Sequence, residues 1–391
     1  MINSKSIIPY GSQKINQSDF YLIKKSLNSS LITTGPYVQL FEQKISRFVK
    51  SKYAITCNSG TSALHLSYLS IGIKKGDVVI LPAINFVAAA NMALSFGAKV
   101  YFSDVDFKTG QSNPTLVENC IKKNNLKKVK AIIVMYNGGF PRNIIEFYKL
   151  KKKYKCYLIE DACHAFGANY KNNIKNYTIG SCRHSDISTF SFHPLKTITT
   201  GEGGAVTTNN RDIAKKLIQF RSHGIIKNKS KHWVYNVGQV GYNYRLSDLN
   251  AALGISQLKN IKKVLLRRKE IFNKYINMLD NYMDVISIAK PEQNTNPAYH
   301  LVLASINFDK LLINKNQFIM KLLKKKIICQ FHYIPNYEFD IFKSSNSKQY
   351  GCDKYKNQTI SLPIHLKISK SKQEFIIKSI KSILKNAKKI K

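Results

Sequence analysis

Residues 156–164 read Cys-Tyr-Leu-Ile-Glu-Asp-Ala-Cys-His, an apolar run that stops on two adjacent acids. A short apolar run after the lysine-rich stretch 149–155 has the length and composition of a buried strand with polar groups at its carboxyl end. The same form recurs on both sides of it. Tyr53–Cys57, Val78–Leu81, Lys99–Phe102 and Ala131–Met135 precede the strand expected over Cys156–Glu160, and Ile187–Phe192 and Gly204–Thr208 follow it. Between the first six lie amphipathic stretches, among them Thr61–Ile71, Phe86–Phe96 and Asn143–Tyr154, that predict helices. Strands alternating with helices predict an α/β fold with a mainly parallel sheet covered on both faces. Ligands of such a sheet collect at the carboxyl ends of its strands.

After Arg245 the rhythm changes. Ser247–Tyr282 reads as one long helix or a broken pair, with Ser247 as N-cap and Asp248 in the first turn. Ala298–Phe308 and Ile327–Tyr333 read as strands, and Lys372–Lys385 as a closing helix. The expected division is an arm over 1–40, a large cofactor-binding domain over 41–246 and a smaller C-terminal α+β domain over 247–391. The arm carries a short helix, Ser18–Leu27, and a Gly35-Pro36 turn. No internal repeat is visible, and the basic tail 385–391 is expected to fray.

The 391 residues carry 62 Lys+Arg against 22 Asp+Glu, a formal net charge of +40. Hydrophobic content of 44% argues against global disorder. No run reaches the roughly 18 apolar residues of a membrane span, and the opening ten residues lack a signal-peptide core. A soluble, cytoplasmic protein is expected. Seven cysteines (57, 120, 156, 163, 182, 329, 352) form no C-x-x-C pair, which fits reduced, buried thiols without a metal. The excess charge raises nucleic acid as a partner. Yet the lysines spread along helical faces, and no base-reading motif with interleaved aromatics accompanies them. Lys196, Arg221 and Arg245, near strand ends, are the cations that call for a functional account.

Four features fall where this architecture places a site. Asn58-Ser59-Gly60-Thr61-Ser62 joins a strand to a helix, and its free amides suit an anion such as phosphate or simply start a capped helix. Glu160-Asp161 ends a buried strand, and alternation lets only one of the two face a ligand. Lys196 follows a strand in Ser191-Phe192-His193-Pro194-Leu195-Lys196, ahead of Gly201-Glu202-Gly203-Gly204. A desolvated lysine there becomes a nucleophilic amine able to form a Schiff base. Phe86, after the second strand, is placed to stack on a ring or to pack in the core. A strand-end Asp with a loop Lys suggests pyridoxal phosphate, the Asp holding the pyridine nitrogen protonated.

These pieces resemble the DegT/StrS family of nucleotide-sugar aminotransferases, within the aspartate-aminotransferase fold group. The matching segments run in order from Gly35-Pro36 and Phe41-Glu42 through Asn58–Leu64, Gly76-Asp77, Glu160–His164 and Ser191–Gly204 to Arg221–Gly224 and Gly241–Ser247. The resemblance implies the fold type I three-layer αβα domain with a mainly parallel mixed sheet. It implies that Lys196 carries the cofactor aldehyde and shuttles the proton, that Asp161 pairs with the ring nitrogen, and that His164 contacts the ring or its hydroxyl. Phe86 would stack on the ring. Gly60, Thr61, Ser62 and Ser191 would bind the phosphate. Asn243 is similar to a residue that reaches the phosphate of the neighbouring subunit, which implies a homodimer with shared active sites. The implied reaction is ping-pong, from L-glutamate to a ketone on a nucleotide-linked sugar.

Within the family, Ser191–Pro194 with Lys196 and Thr199–Gly204 is most similar to the branch working in pseudaminic acid biosynthesis. That branch acts on UDP-2-acetamido-2,6-dideoxy-β-L-arabino-hexos-4-ulose; the alternatives are another UDP- or dTDP-linked 4-keto sugar, or a non-catalytic regulatory member of the family. His332-Tyr333-Ile334-Pro335 fits its substrate-facing loop, and His193 and Arg245 are further candidates to touch substrate. Gly60 stands where Ala is expected in that branch. Tyr136-Asn137-Gly138-Gly139-Phe140-Pro141 replaces a segment with Ala-Gly-Gln before the Pro, at a place expected beside the sugar or ring. His65 is expected in packing or at the surface, and His184, His232, His300 and His365 as surface or satisfied loop residues. Trp233 is expected in a loop, 228–237, that closes over the sugar or anchors itself.

Overall fold

The computed structural model describes residues 7–228, 230–231, 233–345 and 349–388. Expectations for His232 and for the two chain ends beyond these limits lie outside the described residues. Two helices lead in, α1 (Gln17–Leu27) and α2 (Pro36–Val49). The chain then alternates through β1 (Tyr53–Cys57), α3 (Gly60–Ser70), β2 (Val78–Pro82), α4 (Ala88–Ser95), β3 (Lys99–Ser103), α5 (Pro114–Lys123), β4 (Ala131–Met135), α6 (Ile144–Tyr154) and β5 (Tyr157–Asp161). A small hairpin, β6 (Asn169–Asn172) and β7 (Lys175–Thr178), precedes β8 (Ile187–Ser191), β9 (Gly204–Thr208) and α7 (Arg211–Arg221). A second hairpin pairs β10 (Ile225–Lys227) with β11 (Tyr235–Val237), so the segment expected as a loop around Trp233 is a hairpin tip.

The large sheet has the order β1-β9-β8-β5-β4-β2-β3. The pairs β2–β3, β2–β4, β4–β5 and β5–β8 are parallel, and β9 runs antiparallel to both β8 and β1. The strands β1, β2, β4, β5 and β8 therefore present their carboxyl ends along one edge. Each strand alternates between two cores, as a doubly covered sheet requires. On β4, Ile132 and Val134 join a core with helices α2, α5 and α6, while Ala131 and Ile133 join one with α3, α4 and α7. This is the three-layer αβα arrangement of fold type I.

Helices α8 (Asp248–Lys259) and α9 (Ile261–Leu279) follow, broken at Asn260. Ala251, Ile255 and Leu258 of α8 pack with Phe41 of α2 in the first of those cores. The chain ends with β12 (Ile286–Ile288), β13 (Thr295–Asn296), β14 (Val302–Ile306), α10 (Lys315–Lys324), α11 (Tyr350–Gln358), β15 (Thr359–Leu362) and α12 (Lys370–Asn386). Strands β12, β14 and β15 make a second, antiparallel sheet with its own core against α9, α10 and α12.

Three expectations are corrected. The turn at Gly35-Pro36 opens a full helix, α2, whose Val38, Phe41, Ile45 and Val49 form a buried stripe at helical spacing behind a Pro at the first position. Helix α4 starts at Ala88, leaving Phe86 in the loop before it. The β-branched run 327–333 forms no strand. It touches β15 through one bridge, Gln330 to Ser361, and then turns His332 and Tyr333 inward, while Thr359–Leu362 supplies the third strand. No helix of the described residues is long and apolar enough to cross a membrane. All seven thiols are unpaired, and all but Cys163 are buried.

Candidate active site

The strand ends converge on a cavity of about 350 Å³, whose wall includes Gly60, Thr61, Phe86, Asp161, His164, Ser191, His193, Lys196, His332 and Tyr333. At the end of β1, Ser59 caps α3 by accepting from the Ser62 amide at 3.0 Å, and the Ser62 hydroxyl donates to Asn58. Helix geometry leaves the Gly60 and Thr61 amides without intrahelical partners, beside the positive end of the helix. Ser62, its amide and hydroxyl both engaged, is off the wall. A Cβ on Gly60 would lie 2.9 Å from the Ser191 Cβ, so the first turn of α3 is seated directly against the end of β8.

At the end of β5 the two acids separate as alternation requires. Glu160 faces the core, bonded by Tyr136 Oη at 2.8 Å and by Ser188 Oγ, and burial raises its pKa. Asp161, 3% exposed, faces the cavity. Its hydrogen bonds come from neutral donors, Asn85 Nδ2 and the Cys163 amide, each at 3.3 Å. A carboxylate so placed is short of a cation. Lys196 comes from the loop after β8, which is closed at its neck by the Phe192 amide bonded to Gly203 O and the Thr200 amide bonded to Phe192 O. Burial lowers the Lys196 pKa, and the neighbouring Cys163 and Asp161 oppose that shift.

Opposite stands a wall of imidazoles. His164 Nε2 shares a 2.9 Å hydrogen bond with Tyr333 Oη, and its buried Nδ1 has no partner. The His300 ring lies 4.3 Å from that of His164, and His332 Nδ1 pairs with Ser361 Oγ at 2.8 Å. Burial, and then the charge of Lys196, push all three pKa values down, His332 to about 3. Tyr10 of the arm packs its ring 5.5 Å from His332, and Phe86, 55% exposed, sits 5.9 Å from Tyr333 at the mouth.

Besides Ser62, two expected site residues are not brought to this wall. Asn243 is exposed and bridged to Ser222, and Arg245 is partly buried elsewhere. Arg221, counted among the functional cations, instead pairs with Glu42 and donates to Thr56 O. His300 corrects its expectation, being buried on the cavity. His365 is likewise buried, His184 is satisfied by Tyr170 Oη, and His65 packs against Tyr244. Asn85, Cys163, His300 and Tyr10 were missed as wall residues. Asn85 carried a signal, standing beside Phe86 after β2. Tyr10 and His300 arrive from the arm and the second sheet, with no local pattern to mark them.

The arrangement fits pyridoxal phosphate. Asp161 lacks the cation that a protonated ring nitrogen supplies, the free amides at the start of α3 suit a phosphate, and a partly desolvated lysine faces both. Residues 13–381 match the sequence profile of the DegT/DnrJ/EryC1/StrS aminotransferase family. The chain is 36% identical to the UDP-4-amino-4,6-dideoxy-N-acetyl-beta-L-altrosamine transaminase of Campylobacter jejuni subsp. jejuni serotype O:23/36, over 98% of this chain and 99% of that one. It is similar in structure to Helicobacter pylori PseC, an aminotransferase involved in the biosynthesis of pseudoaminic acid, with a TM-score of 0.90, 28% identity, and 97% and 100% of the two chains covered. A putative sugar aminotransferase of Streptococcus pneumoniae, Spr1654 in its PMP form, gives 0.89 at 25% identity over 97% and 99%.

Proposed function

The chain belongs to the DegT/DnrJ/EryC1/StrS aminotransferase family, and from that premise we propose that it moves an amino group from L-glutamate to the 4-keto carbon of a nucleotide-linked sugar. It is a pyridoxal-phosphate-dependent aminotransferase. The acceptor in this reading is UDP-2-acetamido-2,6-dideoxy-β-L-arabino-hexos-4-ulose, supported by the transaminase and PseC likenesses and by the Ser191–Gly204 segment.

One observation carries the reading. Across a single cavity, a buried carboxylate with neutral partners, Asp161, faces a lysine whose burial favours the free amine, Lys196. When bound there, the cofactor supplies an electron sink conjugated to the carbon that loses or gains a proton. Asp161 would hold the proton on the ring nitrogen. Lys196 would hold the cofactor's aldehyde and serve as the group that moves the proton during transamination. Gly60 and Thr61 amides with the Thr61 and Ser191 hydroxyls would hold the phosphate, and Phe86 and His164 would flank the ring. His193, His332 and Tyr333 face the acceptor. The neutral histidines keep donors and acceptors for sugar groups in a wall that also excludes water.

A homodimer is part of the proposal, with Asn243 reaching the phosphate of the partner's site. Its support is apolar surface exposed on the arm, Phe20, Tyr21, Leu27 and Leu31, and on the β10–β11 hairpin, Trp233, Tyr235 and Val237. A division into a large and a smaller domain is retained from the separate core of the second sheet, although residue 40 falls inside α2 and α8, beyond residue 246, packs in the first core. A cytoplasmic site of action suits the unpaired thiols.

The test is the visible spectrum of the purified protein with pyridoxal phosphate. A yellow species that bleaches on adding L-glutamate, followed by amination of one member of a panel of UDP- and dTDP-linked 4-keto sugars, is the expected result. Lys196→Ala should abolish both stages. A protein left colourless by the cofactor, or an active Lys196→Ala variant, overturns the reading.

A further inference from the structure

The segment 136–141 follows β4 and lies directly behind the imidazole wall, and its place in the fold gives it a task. It leaves β4 as a tight turn in which Gly138 and Gly139 take φ of +71° and +84°. That turn touches the backbone of all three wall histidines. The Gly138 carbonyl accepts from the His300 amide at 2.9 Å. A Cβ on Gly139 would fall 2.5 Å from the His164 carbonyl oxygen, so only glycine lets the two backbones meet. Asn137, fully buried, donates through Nδ2 to Tyr355 Oη at 2.9 Å, to Thr109 O at 3.3 Å and to His332 O at 3.4 Å. Tyr355 Oη donates in turn to the same His332 carbonyl at 2.7 Å. Two of those partners are carbonyls, which only accept, so the amide nitrogen must face them. Gln111 Nε2 holds the turn from behind, on Asn137 O and Phe140 O.

Burial and the nearby Lys196 charge favour the neutral form of the three imidazoles held by this turn. They offer neutral donors and acceptors, which suit hydroxyl, acetamido and keto groups. The two carboxylates of an amino donor call for cations instead. Resting on the reading of a sugar-nucleotide acceptor, we propose that the Asn137–Gly139 turn positions His300 and His332 against the sugar. Asn137 is thereby a positioning residue for the acceptor half of the reaction and not for the donor half. It touches neither the reacting atoms nor the cavity.

The experiment uses the holoenzyme, wild type against Asn137→Ala and Tyr355→Phe, with three readouts. These are the rate of bleaching by L-glutamate, the KM for the UDP-linked 4-keto sugar, and calorimetric Kd values for that sugar nucleotide and for UDP. Binding is measured without amino donor, when the ketone is not aminated. For Asn137→Ala we expect the acceptor Kd and KM to rise about tenfold, while glutamate bleaching and UDP binding stay within twofold. Tyr355→Phe, which removes only a hydroxyl, should raise the acceptor values about threefold. An unchanged acceptor Kd in Tyr355→Phe overturns the proposal even if Asn137→Ala does not fold, and so does equal slowing of both halves. A wild-type enzyme inert towards every keto sugar fails earlier, and overturns the functional reading beneath the proposal.

Discussion

Replacing Gly60 with alanine tests whether the phosphate seat is as tightly built as its geometry implies. The backbone of Gly60 has no need of glycine's conformational freedom, so propensity alone favours alanine in the first turn of α3 by up to about 1 kcal/mol. Contact opposes it. The added Cβ would stand 2.9 Å from the Ser191 Cβ, against the roughly 3.5 Å at which carbons rest, so about 0.6 Å must be made. Neither side yields easily. Ser191 ends β8 and is paired with Gly204, whose own Cβ position lies 2.3 Å from the Ser59 carbonyl oxygen. Overpacking of this kind costs about 1–3 kcal/mol. The net expectation is a loss near 1 kcal/mol, or about 1 °C in Tm for a chain of 391 residues.

The larger effect should fall on the cofactor. A shift of half an ångström separates the Gly60 and Thr61 amides from the Ser191 hydroxyl, and preorganised anion sites lose most of their advantage at such displacements. Pyridoxal phosphate titrated spectroscopically should bind Gly60→Ala at least tenfold more weakly. Adding Ser191→Gly should restore the melting temperature, by removing the opposing Cβ, without restoring affinity. A Gly60→Ala protein that melts no lower than wild type and binds the cofactor equally well would refute the reasoning.

Two further expectations concern stability. Glu160 is buried with a raised pKa, so the folded state binds its proton more tightly than the unfolded chain does; that contribution is full below the ordinary carboxylate value near 4.3 and is lost as pH rises through the raised value. Glu160→Gln should therefore gain on wild type with rising pH in urea melts, and a gap that does not widen between pH 5 and pH 8 contradicts this. Asp248 accepts from the amides of Gly35, Tyr37 and Val38 while fully buried. Asp248→Ala strands three donors and should lose about 3–5 kcal/mol, measured by denaturant unfolding; a loss under about 1 kcal/mol would show that water replaces the carboxylate.

The sheet was legible because its strands are short, β-branched and buried on both faces, and the strand-end rule then found Asp161, Lys196, Phe86 and the Gly60 turn together. Alternation alone said that Glu160 and Asp161 part company, and they do. What escaped was non-local. The run 327–333 has strand composition, but the hydrogen bonds of Asn137 and Tyr355 to His332 O draw it into the cavity. His300 looks unremarkable before β14 until Gly138, more than 150 residues earlier in the chain, accepts from its amide. Asp248 read as a first-turn acid of α8, where it does stand, yet its carboxylate clasps the start of α2. Helix periodicity predicts faces, not which distant backbone a side chain will satisfy.

The net charge of +40 takes on a different meaning beside this wall. Among the described residues Lys196 is the one lysine or arginine lining the cavity, accompanied by two acids, Asp161 and Glu202. Arg221 is spent on Glu42 and Thr56, and Lys151 on Asp186. Arg268 is buried on backbone carbonyls, and the exposed cations act from outside, where salt limits a charge to about 8–10 Å. They can raise the local concentration of anionic ligands, a cofactor phosphate, a diphosphate or a dicarboxylate, without telling one from another. Inside the cavity stand imidazoles whose pKa values are lowered by their own burial and by Lys196, groups suited to neutral ligand atoms. Substitutions of surface lysines should therefore alter association and its salt dependence while leaving unchanged which keto sugar of a panel is aminated.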